Sequence, residues 1–394
     1  MSAPSSTPTR RERGWRLGAL SVGQVVSWGV LYYALLVSST TIAAETGWSL
    51  AAITACFSAG LIASALAGMV VGRLLDEVGP RLIMTTGSVV GVAGFVVVAL
   101  APDIPVFALG WVICGLGQSA VLYQASFTVI TRRYGERRQA PLTILTLAGG
   151  LASTIFAPIN AALLTVLDWR TTFLVLAAVV AVVTIPVHAV SLERRWPERP
   201  PPHPDEDVHT VTTVLRSRRF WFLEIASIAL MASIYCVTLN VIPLVTEKGF
   251  TFELAAVALG LLGAGQVVGR LLFLAIPRGA KPWMPMVLVG ILTALLLVLL
   301  AVVPGPTWLV IVVGVLAGAV RGALTLVNAT AVSDRWGTRN YGSINGVYSA
   351  GVTIVGALTP AIGAAVAAGS GSFATMALIM AGVAALAALL ARGT

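Results

Sequence analysis

Read along the chain, long apolar runs of nearly uniform length alternate with short polar clusters. An apolar stretch of about 20 residues spans the hydrocarbon of a bilayer as a helix. Twelve such stretches are predicted, at 17–39, 50–74, 82–101, 105–130, 140–164, 172–192, 220–246, 253–276, 283–303, 307–331, 341–366 and 372–391. The pattern predicts an all-α integral membrane protein whose six-helix bundles, 17–192 and 220–391, flank a linker at 193–219, with tails at 1–16 and 392–394.

The two halves are copies. A gapless shift of 202 residues sets Tyr33 on Tyr235, Gly47 on Gly249, Pro80 on Pro282, Arg133 on Arg335, Gly149 on Gly351 and Pro158 on Pro360. Paired membrane halves of like build are a common design among secondary transporters, where the repeat makes one site reachable from either side. The repeat therefore points to transport through two pseudo-symmetric halves.

Composition supports the bilayer, because 57% of residues are hydrophobic and 10% charged, too few charges to solvate a surface of this size. The net charge of +9 would suggest nucleic acid in a soluble protein, but its distribution argues otherwise. With the N-terminus inside, 21 of 25 Lys and Arg fall on the inner side; Arg170 and Lys248 fall outside, and Arg270 and Arg321 lie within helices. This is the asymmetry that orients membrane proteins. It predicts a multi-pass protein of the cytoplasmic membrane with both termini in the cytoplasm and no nucleic-acid partner.

Other chemistries find little support. Cys56, Cys114 and Cys236 lie in predicted helices at unrelated spacings, which suits neither a disulfide framework nor zinc. The linker holds Arg194, Arg195, a run of prolines, the acids Asp205, Glu206 and Asp207, and His203 and His209; a solvated, semi-rigid connector is expected, without a metal site. No Walker-type phosphate loop, nucleophile–base pair or acidic dyad is present in the predicted spans, so neither ATP hydrolysis, an enzyme activity nor a cofactor is expected.

Between the second and third spans stands Gly72-Arg73-Leu74-Leu75-Asp76-Glu77-Val78-Gly79-Pro80-Arg81. It resembles the loop signature of the major facilitator superfamily, G-x-x-x-D-x-x-G-x-R/K, and the twelve spans, the 6+6 repeat and the long central segment extend the resemblance over essentially the whole chain. The resemblance implies the major facilitator fold, and a conformational latch at Gly72, Asp76, Gly79 and Arg81, in which the Asp76 carboxylate pairs with basic groups or a helix terminus. Gly47-Trp48-Ser49 with the same loop looks like prokaryotic relatives of monocarboxylate porters and oxalate/formate exchangers. Proton-driven drug exporters look less similar, since they usually carry an arginine where Trp111 stands and a Gly-Pro pair where Ala157-Pro158 stands.

Charges inside the membrane are costly and mark function by default. Val267-Val268-Gly269-Arg270-Leu271-Leu272 repeats Val70-Val71-Gly72-Arg73-Leu74-Leu75 letter for letter, which taken alone puts Arg270 at the rim. The gapless register instead pairs Arg270 with Gly68, eight residues before Asp76, or about 12 Å deeper than that loop acid at 1.5 Å per residue. In the porters that the chain resembles, an arginine at this place binds substrate carboxylate. Arg321 is expected deeper still. Glu224, the one acid well inside a span, could pair with Arg270; a substrate anion is the alternative partner.

Further cavity candidates are Gln24, Trp28, Tyr32, Tyr33, Tyr123, Gln124, Tyr235, Asn240, Gln266, Asn345 and Tyr348. Lone polar residues among them serve equally well as interhelical hydrogen-bonders. Gln266, one turn from Arg270, cannot titrate, which removes the proton-coupling acid that animal porters tend to carry there. Gly149, Gly150, Pro158, Gly351 and Pro360 are expected to allow close packing and bending, and His188 to lie at a rim. The expected function is alternating-access transport of a small organic anion, with the lipid bilayer as surroundings and a coupling proton as a further candidate partner. Its rivals are a drug or metabolite exporter and a non-transporting scaffold or sensor.

Overall fold

The computed structural model describes residues 10–196, 210–277 and 279–394. Among them, twelve helices are long and apolar enough to cross a membrane: α1 Gly14–Thr46, α2 Leu50–Glu77, α3 Pro80–Leu100, α4 Ile104–Arg137, α5 Gln139–Leu164, α6 Trp169–Ser191, α7 Arg218–Leu239, α8 Phe252–Ala275, α9 Met284–Val302, α10 Thr307–Trp336, α11 Tyr341–Ser370 and α12 Phe373–Ala391. All twelve expected spans are present. Several helices run past the apolar stretch that predicts them, because hydropathy marks the hydrocarbon whereas caps mark the helix end. A separate short helix, Val241–Glu247, follows α7.

The caps repeat as the sequence does. Gly47 at φ +74° ends α1, and its counterpart Gly249 has φ +85°, a left-handed region where a side chain is strained. Ser49 then accepts from the Ala52 N–H at 3.1 Å, as its counterpart Thr251 accepts from Leu254 at 3.3 Å, opening α2 and α8 alike. Asp168 opens α6 by accepting from the Thr171 N–H at 2.9 Å, and that bond holds its carboxyl below the usual range. The two cations expected outside are both helix C-caps. Arg170 donates to Ala99 O and Ala101 O at the end of α3, and Lys248 to Leu300 O and Val303 O at the end of α9; burial pushes the Lys248 amine down.

The chain divides into two compact units, Met1–Thr210 with Thr338–Ala350, and Val211–Gly337 with Gly351–Thr394. In the first, α4 packs on α2 and α3, and α6 on α3 and α1; in the second, α10 packs on α8 and α9, and α12 on α9 and α7. These are the same pairings displaced by one half. Trp111 is core: its ring meets Phe57, Phe95 and Phe107 at centroid distances of 4.9, 6.1 and 6.3 Å. Leucines and valines such as Val70, Val182 and Leu389 stay exposed on the outer faces, as lipid contact requires.

Glycines set the closest crossings. In the first unit Gly60 of α2 lies against the Trp111 backbone, and Gly115 against Gly60. In the second, Gly318 of α10 lies against Leu262 of α8, while Gly265 and Gly269 lie against Val315 and Ala319. Shifting Gly60 by 202 gives Leu262, and shifting Gly115 gives Ala317, so the crossing keeps the gapless register on α8 to the residue and on α10 to within one.

Four of the long helices or their continuations are interrupted: α1 at Tyr32, α4 at Leu122, α5 at Leu151, and the chain after α7 at Asn240. The break in α5 directly follows Gly149 and Gly150. Pro186 and Pro360, by contrast, sit inside continuous helices, and Pro158 lies seven residues past the α5 break. His188, expected at a rim, is fully buried, with Nδ1 2.8 Å from Ser88 Oγ. Its ring lies between Ser88 of α3 and Gly23 of α1, where an added Cβ would stand 3.2 Å from Nε2.

Candidate functional site

The breaks in α1 and α4 are braced reciprocally. Gln118 of α4 donates to Leu31 O at 2.7 Å, and Gln24 of α1 donates to Val121 O at 2.5 Å and to Ser126 Oγ at 2.8 Å. Each amide thus serves a carbonyl that an interrupted helix leaves without its usual partner. Gln24, a cavity candidate in sequence, is fully buried in this brace.

Beside the breaks the first unit gathers its aromatic candidates. Trp28 stands 5.0 Å from Tyr32 and 4.9 Å from Tyr123, Tyr32 stands 5.2 Å from Tyr33, and Tyr123 stacks on Phe127 at 5.2 Å. The Tyr123 hydroxyl donates to Thr146 O at 3.2 Å and fills the space beside Gly149. Trp28 Nε1 is buried with no partner among the described residues. Gln124 donates to Gly68 O at 2.7 Å. Asn345 and Tyr348 of α11 are both buried, and Asn345 Nδ2 has no partner among the described residues.

The second unit holds the two intramembrane cations. The Arg321 guanidinium lies 3.9 Å over the Tyr235 ring, and Nη1 donates to Thr238 Oγ1 at 3.1 Å. Arg270 is 7% exposed; its Nε is buried without a partner, and no ion pair reaches it among the described residues. Arg73, in the identical hexapeptide, is exposed. Arg270 lies five residues before the end of α8, about 7–8 Å along the axis. This is shallower than the register alone suggests, because α8 stops four residues short of the counterpart of Glu77. Gln266 is half-buried where its backbone touches Gly322, and Asn240 is taken up locally, donating to Cys236 O at 2.8 Å.

The loop motif makes a second centre. Asp76 Oδ1 accepts from Arg132 Nη1 at 2.9 Å, and Oδ2 accepts from the Ser343 N–H at 2.7 Å and its hydroxyl at 2.9 Å, at the start of α11. Gly72 meets Gly342 and Gly346 backbone to backbone, an approach that any side chain would block. Gly79 takes φ +100° against the Arg194 carbonyl, and Arg81 donates from N to Glu193 O at 3.1 Å and from Nε to Leu192 O at 2.8 Å.

Sequence reading missed the other side of this centre. Glu193, placed at the start of a solvated linker, accepts from Arg133, in a bidentate pair, and from Arg16 at 3.0 Å. Trp196 donates to Leu75 O at 2.6 Å, with Arg132 4.6 Å over its ring. Residues 193–196 are therefore docked on the first unit; 197–209, with both linker histidines and the acidic cluster, lie outside the described residues. The repeat held the missing signal, since Arg335, the counterpart of Arg133, likewise donates to a residue just past the last helix of its half, Thr394 Oγ1 at 2.6 Å.

A family model described as the Major Facilitator Superfamily matches residues 20–304, well over half of the chain. The chain belongs to the Major Facilitator Superfamily. It is 28% identical over 170 residues to the uncharacterised MFS-type transporter YcxA of Bacillus subtilis (strain 168), an alignment that covers 43% of this chain and 40% of that protein. The chain thus spans about two fifths of the length of that curated relative. Among solved structures, the E. coli fucose:proton symporter FucP superposes with a TM-score of 0.73 at 16% identity, over 96% of this chain and 97% of that one. The human organic anion transporter MFSD10 superposes with a TM-score of 0.70 at 15% identity, over 97% and 100%. At these identities the likeness to the solved structures is one of fold.

Proposed function

We propose that the protein is a secondary active transporter of the cytoplasmic membrane, both termini inside, that moves a small, monocarboxylate-like organic anion by alternating access. The observation that carries this reading is Arg270, a buried guanidinium with no counter-charge. A buried cation without a partner is costly, and a ligand carboxylate would satisfy it by a charge-assisted, bidentate contact. Arg321, stacked on Tyr235, supplies a second cation within the same unit. Asp76, Gly72, Gly79 and Arg81 act as a latch whose making and breaking biases the conformational exchange. That an organic anion transporter shares the fold is compatible with this reading, though at 15% identity it carries no substrate across.

One observation favours a second reading. The Trp28, Tyr32, Tyr33 and Tyr123 cluster suits flat or amphipathic molecules, as a drug exporter would need. A thermal-shift screen of purified protein separates the two. Carboxylates should raise the melting temperature, since ligand at about 100 times its Kd contributes roughly 2.7 kcal/mol. Protection by neutral or cationic amphiphiles, with none by carboxylates, would overturn the anion reading.

A further inference from the structure

Glu224 is left unused by anion binding and by the latch. It lies on α7, six residues after Arg218, and is 5% exposed. Its Oε2 is buried with no hydrogen-bond partner, and no Lys, Arg or His forms an ion pair with it among the described residues. The carboxyl head occupies the space beside Gly351 of α11, where an added Cβ would strike Oε1 and crowd the Ile228 side chain at 2.9 Å. Gly351 is the repeat counterpart of Gly149, whose missing side chain makes room in the first unit for the Tyr123 hydroxyl. Each half thus opens the same slot on its fifth helix to a polar head, and in the second half that head is an acid.

The surroundings offer little to hold a negative charge. No titratable residue occurs in α9 or α12, or in α11 from Gly351 onward. On α10, Arg321 is engaged by Tyr235 and Thr238, and Arg335 by Ala331 O and Thr394; Asp334 carries the same sign as Glu224. Earlier on α11 stand the phenols Tyr341 and Tyr348, and before Glu224 the arginines Arg216, Arg218 and Arg219, none of them bridged to it. A lone carboxylate in such a setting is far more expensive than the neutral acid. Arg270, in the same unit, is equally unpaired. Had Glu224 served as its counter-charge, the two costs would have cancelled; instead the acid and the cation are kept separate.

We propose that Glu224 is a proton-binding site that couples transport to the pH gradient, with Arg270 reserved for the anion. The inference rests on the anion-transport reading for its direction. A proton taken from the outer water binds the carboxylate to give the acid and is returned to the inner water when the acid ionises. With one anion carried per proton, the cycle moves no net charge.

The test uses the full-length protein in liposomes, with Glu224→Gln as the variant and carboxylates that pass the thermal screen as solutes. An inward gradient of one pH unit should drive about tenfold accumulation by the wild type at one proton per anion. The variant should fall to no accumulation above equilibrium while keeping solute exchange across both sides. Tenfold accumulation by Glu224→Gln would overturn the proposal. Infrared spectroscopy provides an arm that needs no solute and no transport. The wild type at neutral pH should show a protonated-carboxyl stretch that is lost in Glu224→Gln, and a wild-type spectrum without that band would overturn the proposal even if the variant fails to transport. If carboxylates fail to bind while the band is present, the anion reading falls and the proton site stands.

Discussion

Arg73 and Arg270 stand in the same six letters, yet one is exposed and the other buried. Local sequence cannot separate them; helix register can. The identical hexapeptides are offset by five residues from the frame in which Gly60 and Leu262 make equivalent contacts, and five residues turn a helix about 140° beyond a full turn. Arg270 accordingly takes the place of Gly68, on the face where Gln124 lies, whereas Arg73 turns outward. Lysine keeps the charge but loses the planar fork that grips a carboxylate. Arg270→Lys should therefore cost on the order of 2–5 kcal/mol of anion interaction, read as lost uptake in proteoliposomes at near-normal expression, while Arg73→Lys stays close to wild type. Equal, mild effects would remove Arg270 from the site. Its burial was legible through the repeat. Its lack of a partner was not, because nothing in the sequence ruled out Glu224.

At the scale of elements, twelve spans were legible because hydropathy and bilayer thickness alone set their number. The interruptions in α1 and α4 were not, whereas the one in α5 follows the Gly149-Gly150 pair where bending is expected. Tyr32 and Leu122 are neither glycine nor proline, and the prolines that suggest bends mark no break: α11 runs on through Pro360, and α5 breaks at Leu151, seven residues before Pro158. What marks the breaks is tertiary: Gln24 and Gln118 reach across to the carbonyls at Val121 and Leu31. In sequence a lone glutamine on an apolar helix reads equally well as a solute contact. Gln118→Leu should leave Leu31 O buried and unpaired at a cost of about 1–3 kcal/mol, seen as a lower melting temperature in detergent. Because the amide donates to the Leu31 carbonyl and braces the helices, apparent affinity for transported anion should stay within about twofold; a large loss of affinity with unchanged melting would make Gln118 a ligand contact instead.

For the whole molecule, the repeat accounts for most of what could be read: the helix pairings, the Gly47 and Gly249 caps, and the Arg133 and Arg335 clasps all occur in both halves. Asp76 breaks that symmetry, because its counterpart by the 202-residue shift is Arg278 and only the first half carries the full loop motif. The carboxylate joins Arg132 to the N-terminal turn of α11, where an acid also faces the positive end of the helix dipole. Asp76→Asn keeps the shape and removes the charge. Since a latch changes populations and leaves the binding groups intact, the variant should lower turnover about tenfold or more, equivalent to about 1.4 kcal/mol of conformational bias. Solute-induced thermal shifts should remain near those of the wild type. The decisive measurement is the rate at which a single cysteine near the outer end of the helices reacts with a membrane-impermeant thiol reagent, with and without Asp76→Asn. A changed rate together with retained solute binding is the expected outcome, and unchanged rates with unchanged uptake would mean that the Asp76 contacts are structural only.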